Sequence, residues 1–333
     1  MAALNSLRRA AGPGEVAGDV EPARQLKRLL SEVTWRHVRR SAFLGPVAGV
    51  AGVAGVAVAV RLHGGSSDAM LQRHLSWAQA LKHWAIPLWI LADETFDAEG
   101  QSSLRARLSR IARGMGDDIP FSVFWYGQEA MITDFPVLSE IHAALPDRQD
   151  VRDCFQLPGP KSLAWCFHVE ALLLWWRSLA SKPKFVWVLE DDAGFSGDIA
   201  QFISAYQEET SDLISHEFQV ADPTWVWYDA VSETWKLEEA KTTMPRLRCA
   251  EHVQRFSAGL LDVLEGFAMR QVSGWSETSV PSLCRWARRS MTSLRPEHVG
   301  QIFSYAGKVP KDAWPRICED ARTRGRWWHA LKW

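Results

Sequence analysis

Cysteine is sparse in this 333-residue chain: there are five, all beyond position 150 (Cys154, Cys166, Cys249, Cys284, Cys318), and no two are spaced as Cys-x-x-Cys. A cysteine-built zinc or dithiol redox site is therefore unsupported, and in an oxidising lumen the odd count leaves at least one thiol unpaired. Excess charge of one sign is lacking too, because 38 Lys and Arg face 39 Asp and Glu. The first 40 residues hold eight of the basic and four of the acidic side chains, which leaves the remainder mildly acidic at 30 against 35. Such a body offers no electrostatic footprint for nucleic acid. No Gly-x-x-x-x-Gly-Lys loop and no Gly-x-Ser-x-Gly elbow occurs, which argues against P-loop and serine-hydrolase chemistry.

Apolar material is plentiful. A hydrophobic share of 47% is ample for the core of one large or two modest domains. The 18 tryptophans suit core packing or stacking on the apolar faces of sugars, and core is the default reading for most of them.

From Ala42 to Val60 the chain runs 19 residues without a charge, preceded by Arg36, His37, Arg39 and Arg40 and closed by Arg61. That length approaches the roughly 20 apolar residues of a membrane-spanning helix, and the basic side faces the cytoplasm. The expected layout is a cytoplasmic tail over 1–40, a type II signal anchor over 41–61, a stem or first helix within 62–83 and a catalytic domain over 84–333. The body would then be lumenal in the Golgi or endoplasmic reticulum. Four glycines and Pro46 make the run only weakly hydrophobic, so an organelle-targeting leader is the alternative.

In the body, apolar spacing predicts a helix over 68–83, a first strand over Leu88–Ala92 ending in Asp93 and Glu94, a helix over Ser103–Arg113 and a strand over Phe121–Tyr126. Lys161–Leu179 reads as one buried helix. The alternation predicts an α/β fold with a mostly parallel sheet flanked by helices.

Five apolar residues, Phe185–Leu189, have the make-up of a buried parallel strand, and Glu190-Asp191-Asp192 follow at once. Gly194 and Gly197 then permit a turn, and Ile199, Phe202, Ile203 and Tyr206 share one helical face. The carboxylates thus sit at a strand-to-helix corner, where open α/β sheets bind ligands. Adjacent acids repel one another unless a cation offsets them. Oxygen ligands favour Mg²⁺ or Mn²⁺, with substrate phosphate and water completing the shell. A solvated acidic turn is the plain alternative.

The passage VWVLEDDAGFSGDIAQFISAY resembles the strand, metal-binding triplet and helix of nucleotide-sugar glycosyltransferases with the GT-A fold. It is especially similar to the Glu-Asp-Asp form of the N-acetylglucosaminyltransferase I group and to related algal and protist transferases. The resemblance covers about 25 residues, as a motif read in its context. It implies that Asp192 ligates the metal, with Asp191 beside it, and that Glu190 and Asp191 meet the nucleotide ribose or metal-bound water. It also implies a ribose or base contact for Asp93, and a hexosyl- or N-acetylhexosaminyltransferase acting on a glycan or glycoprotein acceptor. Ala193-Gly194-Phe195-Ser196 departs from that group, so donor identity is not carried over.

Further on, Thr224–Tyr228 reads as a strand ending in Asp229, Glu251–Phe267 as a helix, and Gly274–Glu277 as a loop. An inverting transfer needs a carboxylate base. Glu277 is the first candidate, because Trp275 beside it offers a face to a sugar, and Asp229 is the second; Glu277 as a mere helix cap is equally reasonable. Lys161, His252 and Arg255 are candidates to hold the diphosphate. The tail Arg324–Trp333 is aromatic enough to pack back on the domain. Rival readings are another metal-dependent nucleotidyltransferase or phosphoesterase, and a non-catalytic, anchored carbohydrate-binding protein.

Overall fold

Alternating valine and alanine from Val56 onward form strand β1 (Val56–His63), not a membrane helix. β-Branched residues favour the pleated strand, and Gly55 marks its start with a positive φ of 93° in a place where a Cβ would lie 2.9 Å from the Lys184 Cβ. The computed structural model describes residues 55–95, 103–116, 119–144, 163–225, 227–303 and 308–333. This corrects the expected anchor: its C-terminal part, Val56–Arg61, belongs to the sheet. The uncharged residues 42–54 lie outside the described residues. Among the described residues no helix is long and apolar enough to cross a membrane.

The remaining strands are β2 (Leu88–Asp93), β3 (Phe121–Tyr126), β4 (Phe185–Leu189), β5 (Gly194–Phe195), β6 (Leu213–Val220), β7 (Leu247–Ser257), β8 (Met291–Ser293), β9 (Val299–Phe303) and β10 (Trp327–His329). A seven-stranded sheet has the order β3-β2-β1-β4-β7-β6-β8, and a smaller sheet the order β5-β10-β9. β1 pairs in parallel with β2 and β4, and β2 with β3, whereas β7 runs antiparallel to both β4 and β6. The mostly parallel α/β sheet is as expected. Its first strand is β1, however, so the helix Asp68–His83 is the β1-to-β2 crossover and not a stem.

Strand alternation sorts the core into two faces. Val58, Val60, Leu62, Trp187 and Leu189 pack with the helices Asp68–His83, Leu104–Met115 and Ile199–Ala205. Ala59, Val186 and Val188 pack with the helices His168–Ser178, Ala258–Met269 and Ser276–Trp286.

Several local expectations change. The predicted helix over Glu251–Phe267 is strand up to Ser257, whose hydroxyl accepts from Leu260 N–H and caps the helix Ala258–Met269. In place of the expected strand, the described residues on either side of 226 are turns, over 223–225 and 227–229; the Asp222 carboxylate accepts from Thr224 N–H at 2.8 Å and folds the chain after it. The long buried helix divides at Phe167 into Leu163–Cys166 and His168–Ser178, and the expected loop at Gly274–Glu277 becomes helix from Ser276.

Glu170 lies on the helix His168–Ser178 at 2% exposure, and burial pushes its carboxyl from 4.5 up to about 7, only partly opposed by its own backbone and by Ser273. A raised acid carries no penalty below the unfolded value; between 4.5 and about 7 the unfolded chain loses its proton first, so stability falls with rising pH and levels off above. The full effect is on the order of 3 kcal/mol. Urea unfolding of Glu170→Gln should show the variant gaining on the parent as pH goes from 4.5 to 8; a difference independent of pH would contradict this.

Candidate active site

Alternation continues past the end of β4 and splits the acidic triplet. Glu190 falls on the face of Val186 and Val188, where β1 presents Arg61 and β7 presents His252. Glu190 Oε1 lies 3.0 Å from Arg61 Nη2, and Oε2 meets His252 Nδ1 and lies 3.7 Å from His329 Nε2. Asp191 turns the other way. Its Oδ2 accepts from Ser66 Oγ at 2.5 Å and lies 3.2 Å from His63 Nε2, while its carbonyl accepts from Arg73 at 2.8 Å and His74 at 2.7 Å. Asp192 faces the C-terminal tail, with Oδ1 at 3.2 Å from His329 Nε2 and Oδ2 at 3.1 Å from Lys332 Nζ.

The tail packs back as its aromatics suggest, and it also completes the site. β10 lies between β5 and β9, and Trp327 is fully buried against Trp77, Phe195 and Phe202. Gly194 and Gly197 serve close approach more than turning: a Cβ on Gly194 would meet Leu331 Cδ2 at 2.8 Å, and one on Gly197 would meet Gly325 Cα at 3.0 Å. Leu331 N–H donates to Asp192 O at 2.7 Å, which fixes His329 and Lys332 beside the triplet. Sequence reasoning missed both residues; their signal is one histidine and one lysine set among the aromatic and apolar residues of 327–333.

The electrostatics follow. Burial opposes ionisation of Glu190, but His252, Arg61 and His329 outweigh it and hold the carboxyl well below its usual range. Burial likewise opposes ionisation of Asp191, and His63 and Ser66 reverse the balance. Burial disfavours a charged His329, yet Asp192 and Glu190 together raise its pKa. His74, buried and beside Arg73, is lowered to about 3 and donates as a neutral ring. Glu251, 5% exposed, is pushed by burial up to about 8 although Arg61 opposes this.

The donor set fits a divalent cation. Ligand atoms of Glu190, His252 and His329 lie within 4.8 Å of one another, and Asp192 Oδ1 faces the same His329 nitrogen. A mixed carboxylate and imidazole set leans toward Mn²⁺ over Mg²⁺. His168, Glu190 and Glu251 form a second such group, but the Arg61 guanidinium already holds that oxygen of Glu190. Below them is a cavity of about 10 Å³, the size of one water, lined by Arg61, His168, Gln254 and Ser276.

The structure brings together only some of the residues expected at the site. Asp192 and Glu190 converge, whereas the Asp191 carboxylate, expected beside Asp192 as a metal ligand, turns to Ser66 and His63 through Oδ2. Asp93 is 3% exposed at the end of β2, and its Oδ1 accepts from Thr95 N–H at 2.9 Å, beside a groove lined by Thr95, Gln128, Glu129 and Ile132. Arg255 spends its guanidinium on the carbonyls of Tyr206, Glu209 and Ser211, not on a diphosphate site. Trp275 is 1% exposed and stacks at 3.8 Å on Trp227, so its face is closed to a sugar. Glu277 is buried in the first turn of its helix and acts electrostatically on Cys249, together with Glu251. Asp229 closes a turn, its carbonyl accepting from Val231 N–H at 2.8 Å. Lys161 lies outside the described residues.

No protein-family model and no curated protein matches the chain. Among solved structures, mouse xyloside xylosyltransferase 1 in its apo form is 8% identical over 83% of this chain and 97% of its own, with a TM-score of 0.42. The galactosyltransferase LgtC with donor and acceptor sugar analogues is 10% identical over 80% and 83%, at 0.40. Core-mannan synthase A of Aspergillus fumigatus in an Mn/GDP form is 9% identical over 77% of each chain, at 0.42. Likeness at this level decides neither fold nor chemistry, which rest on the geometry above.

Ser66→Ala removes a hydrogen bond to a buried carboxylate and should lower stability at pH 7 by about 1.5–3 kcal/mol in urea unfolding. Unchanged stability would contradict the locked position of Asp191.

Proposed function

We propose that the chain is a metal-dependent glycosyltransferase of GT-A type, moving a hexosyl or N-acetylhexosaminyl group from a nucleotide sugar to a glycan or glycoprotein acceptor. The observation that carries this reading is the convergence of Glu190 Oε2 and Asp192 Oδ1 on His329 Nε2, at 3.7 and 3.2 Å, at the C-terminal end of a central strand. An ion bound there, Mn²⁺ or Mg²⁺, would supply positive charge for a nucleoside diphosphate leaving group. Glu190, Asp192 and His329 would hold it, with His252 steadying Glu190 from behind.

The donor nucleotide would lie across the ends of β1, β2 and β3, the usual edge for ligands of open α/β sheets, with Asp93 shaping the floor of the groove beside Thr95 and Gln128. Arg73, held at the carbonyls of Asp191 and Leu331, keeps the triplet turn and the tail in register. Glu277 remains the first candidate base for the acceptor hydroxyl, because it shares the polar zone of Cys249 and Glu251, and Asp229 is the second. A Golgi or endoplasmic reticulum location is part of the same reading, since glycoprotein acceptors are met there.

Purified protein incubated with Mn²⁺ and a panel of nucleotide sugars should release nucleoside diphosphate; pyrophosphate-dependent breakdown would instead indicate a nucleotidyltransferase. Asp192→Asn should lower kcat/KM by about 100-fold or more, because a charge-assisted metal ligand is lost, while circular dichroism stays unchanged. Substantial activity in this variant would overturn the assignment.

A further inference from the structure

The two oxygens of Asp192 have unlike partners. His329 Nε2, on Oδ1, has a lone pair to offer an ion when neutral, but Lys332 Nζ, 3.1 Å from Oδ2, has none. The ammonium is a competitor for the carboxylate and never a co-ligand.

Its backbone is held on both sides. Leu331 is fully buried, donates to Asp192 O at 2.7 Å and accepts from Arg73 Nη2 at 3.3 Å. Trp333 Nε1 donates to Val309 O at 2.9 Å, and the Arg73 guanidinium lies 5.5 Å from the centroid of its ring. A side chain tethered in this way keeps a high effective concentration at its partner. It is also half exposed, so it can swing into solvent without opening the core.

We propose that Lys332 is an internal substitute cation, which occupies Asp192 in the empty enzyme and must be displaced from it when the divalent ion enters, so that the tail sets the threshold for metal binding. This rests on the metal site read at Glu190, Asp192 and His329. Two effects act in the same direction: the ion must break the Lys332–Asp192 pair, and any ammonium that stays nearby repels it.

Titration of the full chain with Mn²⁺ alone, followed by loss of the free-ion electron paramagnetic resonance signal, tests this. Lys332→Met, of similar length and without charge, should bind Mn²⁺ about threefold tighter or more, as expected for removal of a partly exposed competing charge, and Lys332→Arg should bind like the parent. Equal or weaker binding by Lys332→Met, with an unchanged melting temperature, would overturn the inference while leaving the metal site standing. Mn²⁺ binding by the parent that is insensitive to Asp192→Asn would overturn the metal site and the inference with it.

Discussion

Four carboxylates gathered at one end of a buried sheet must be offset by positive charge, and the rest of the site is arranged around that requirement. Glu190, Asp191, Asp192 and Glu251 are all largely withdrawn from water, where like charges repel strongly and ionisation is penalised. The offset comes from separate parts of the chain: Arg61 on β1, His63 just after it, Arg73 on the first crossover helix, His252 on β7, and His329 and Lys332 in the tail, with uncharged donors Ser66 and His74 adding hydrogen bonds to Asp191. Electrostatic neutralisation therefore ties together segments more than 250 residues apart. Glu251 is the member least well offset, and burial drives it toward the protonated form.

The triplet divides its labour because a strand alternates. Asp191 is consumed in holding the β1 loop to the end of β4, and its carbonyl anchors the crossover helix. Glu190 and Asp192, one residue to either side, share the opposite direction and meet at His329. A rigid middle residue with two converging neighbours is what a metal site needs, since ligands must be held by contacts of their own before the ion arrives.

Much of this was legible in the chain. Phe185–Leu189 with its acids, the strands at Leu88 and Phe121 and the helix from Asp68 all carried strong local periodicity, and they occur where expected. β1 was not legible, because Val-Ala alternation within a long uncharged run also satisfies the composition of a membrane span. β7 was misread because Val253, Phe256, Leu260 and Leu261 keep helical spacing across the Ser257 cap, where strand gives way to helix. His329 and Lys332 could not be placed, since their role depends on the tail crossing β5 at Gly194, a long-range approach that no local pattern encodes. Trp275 failed as a sugar platform for the same reason: its partner, Trp227, comes from a distant turn.

The position taken by a divalent ion decides which side chains form the metal centre. Crystals grown with Mn²⁺ and a nucleoside diphosphate, measured at the manganese edge, should give an anomalous peak within about 2.5 Å of Glu190, Asp192 and His329, with the Asp191 carboxylate still on Ser66. A peak elsewhere, or none while the diphosphate is bound, would contradict the claim that these three side chains form the metal centre.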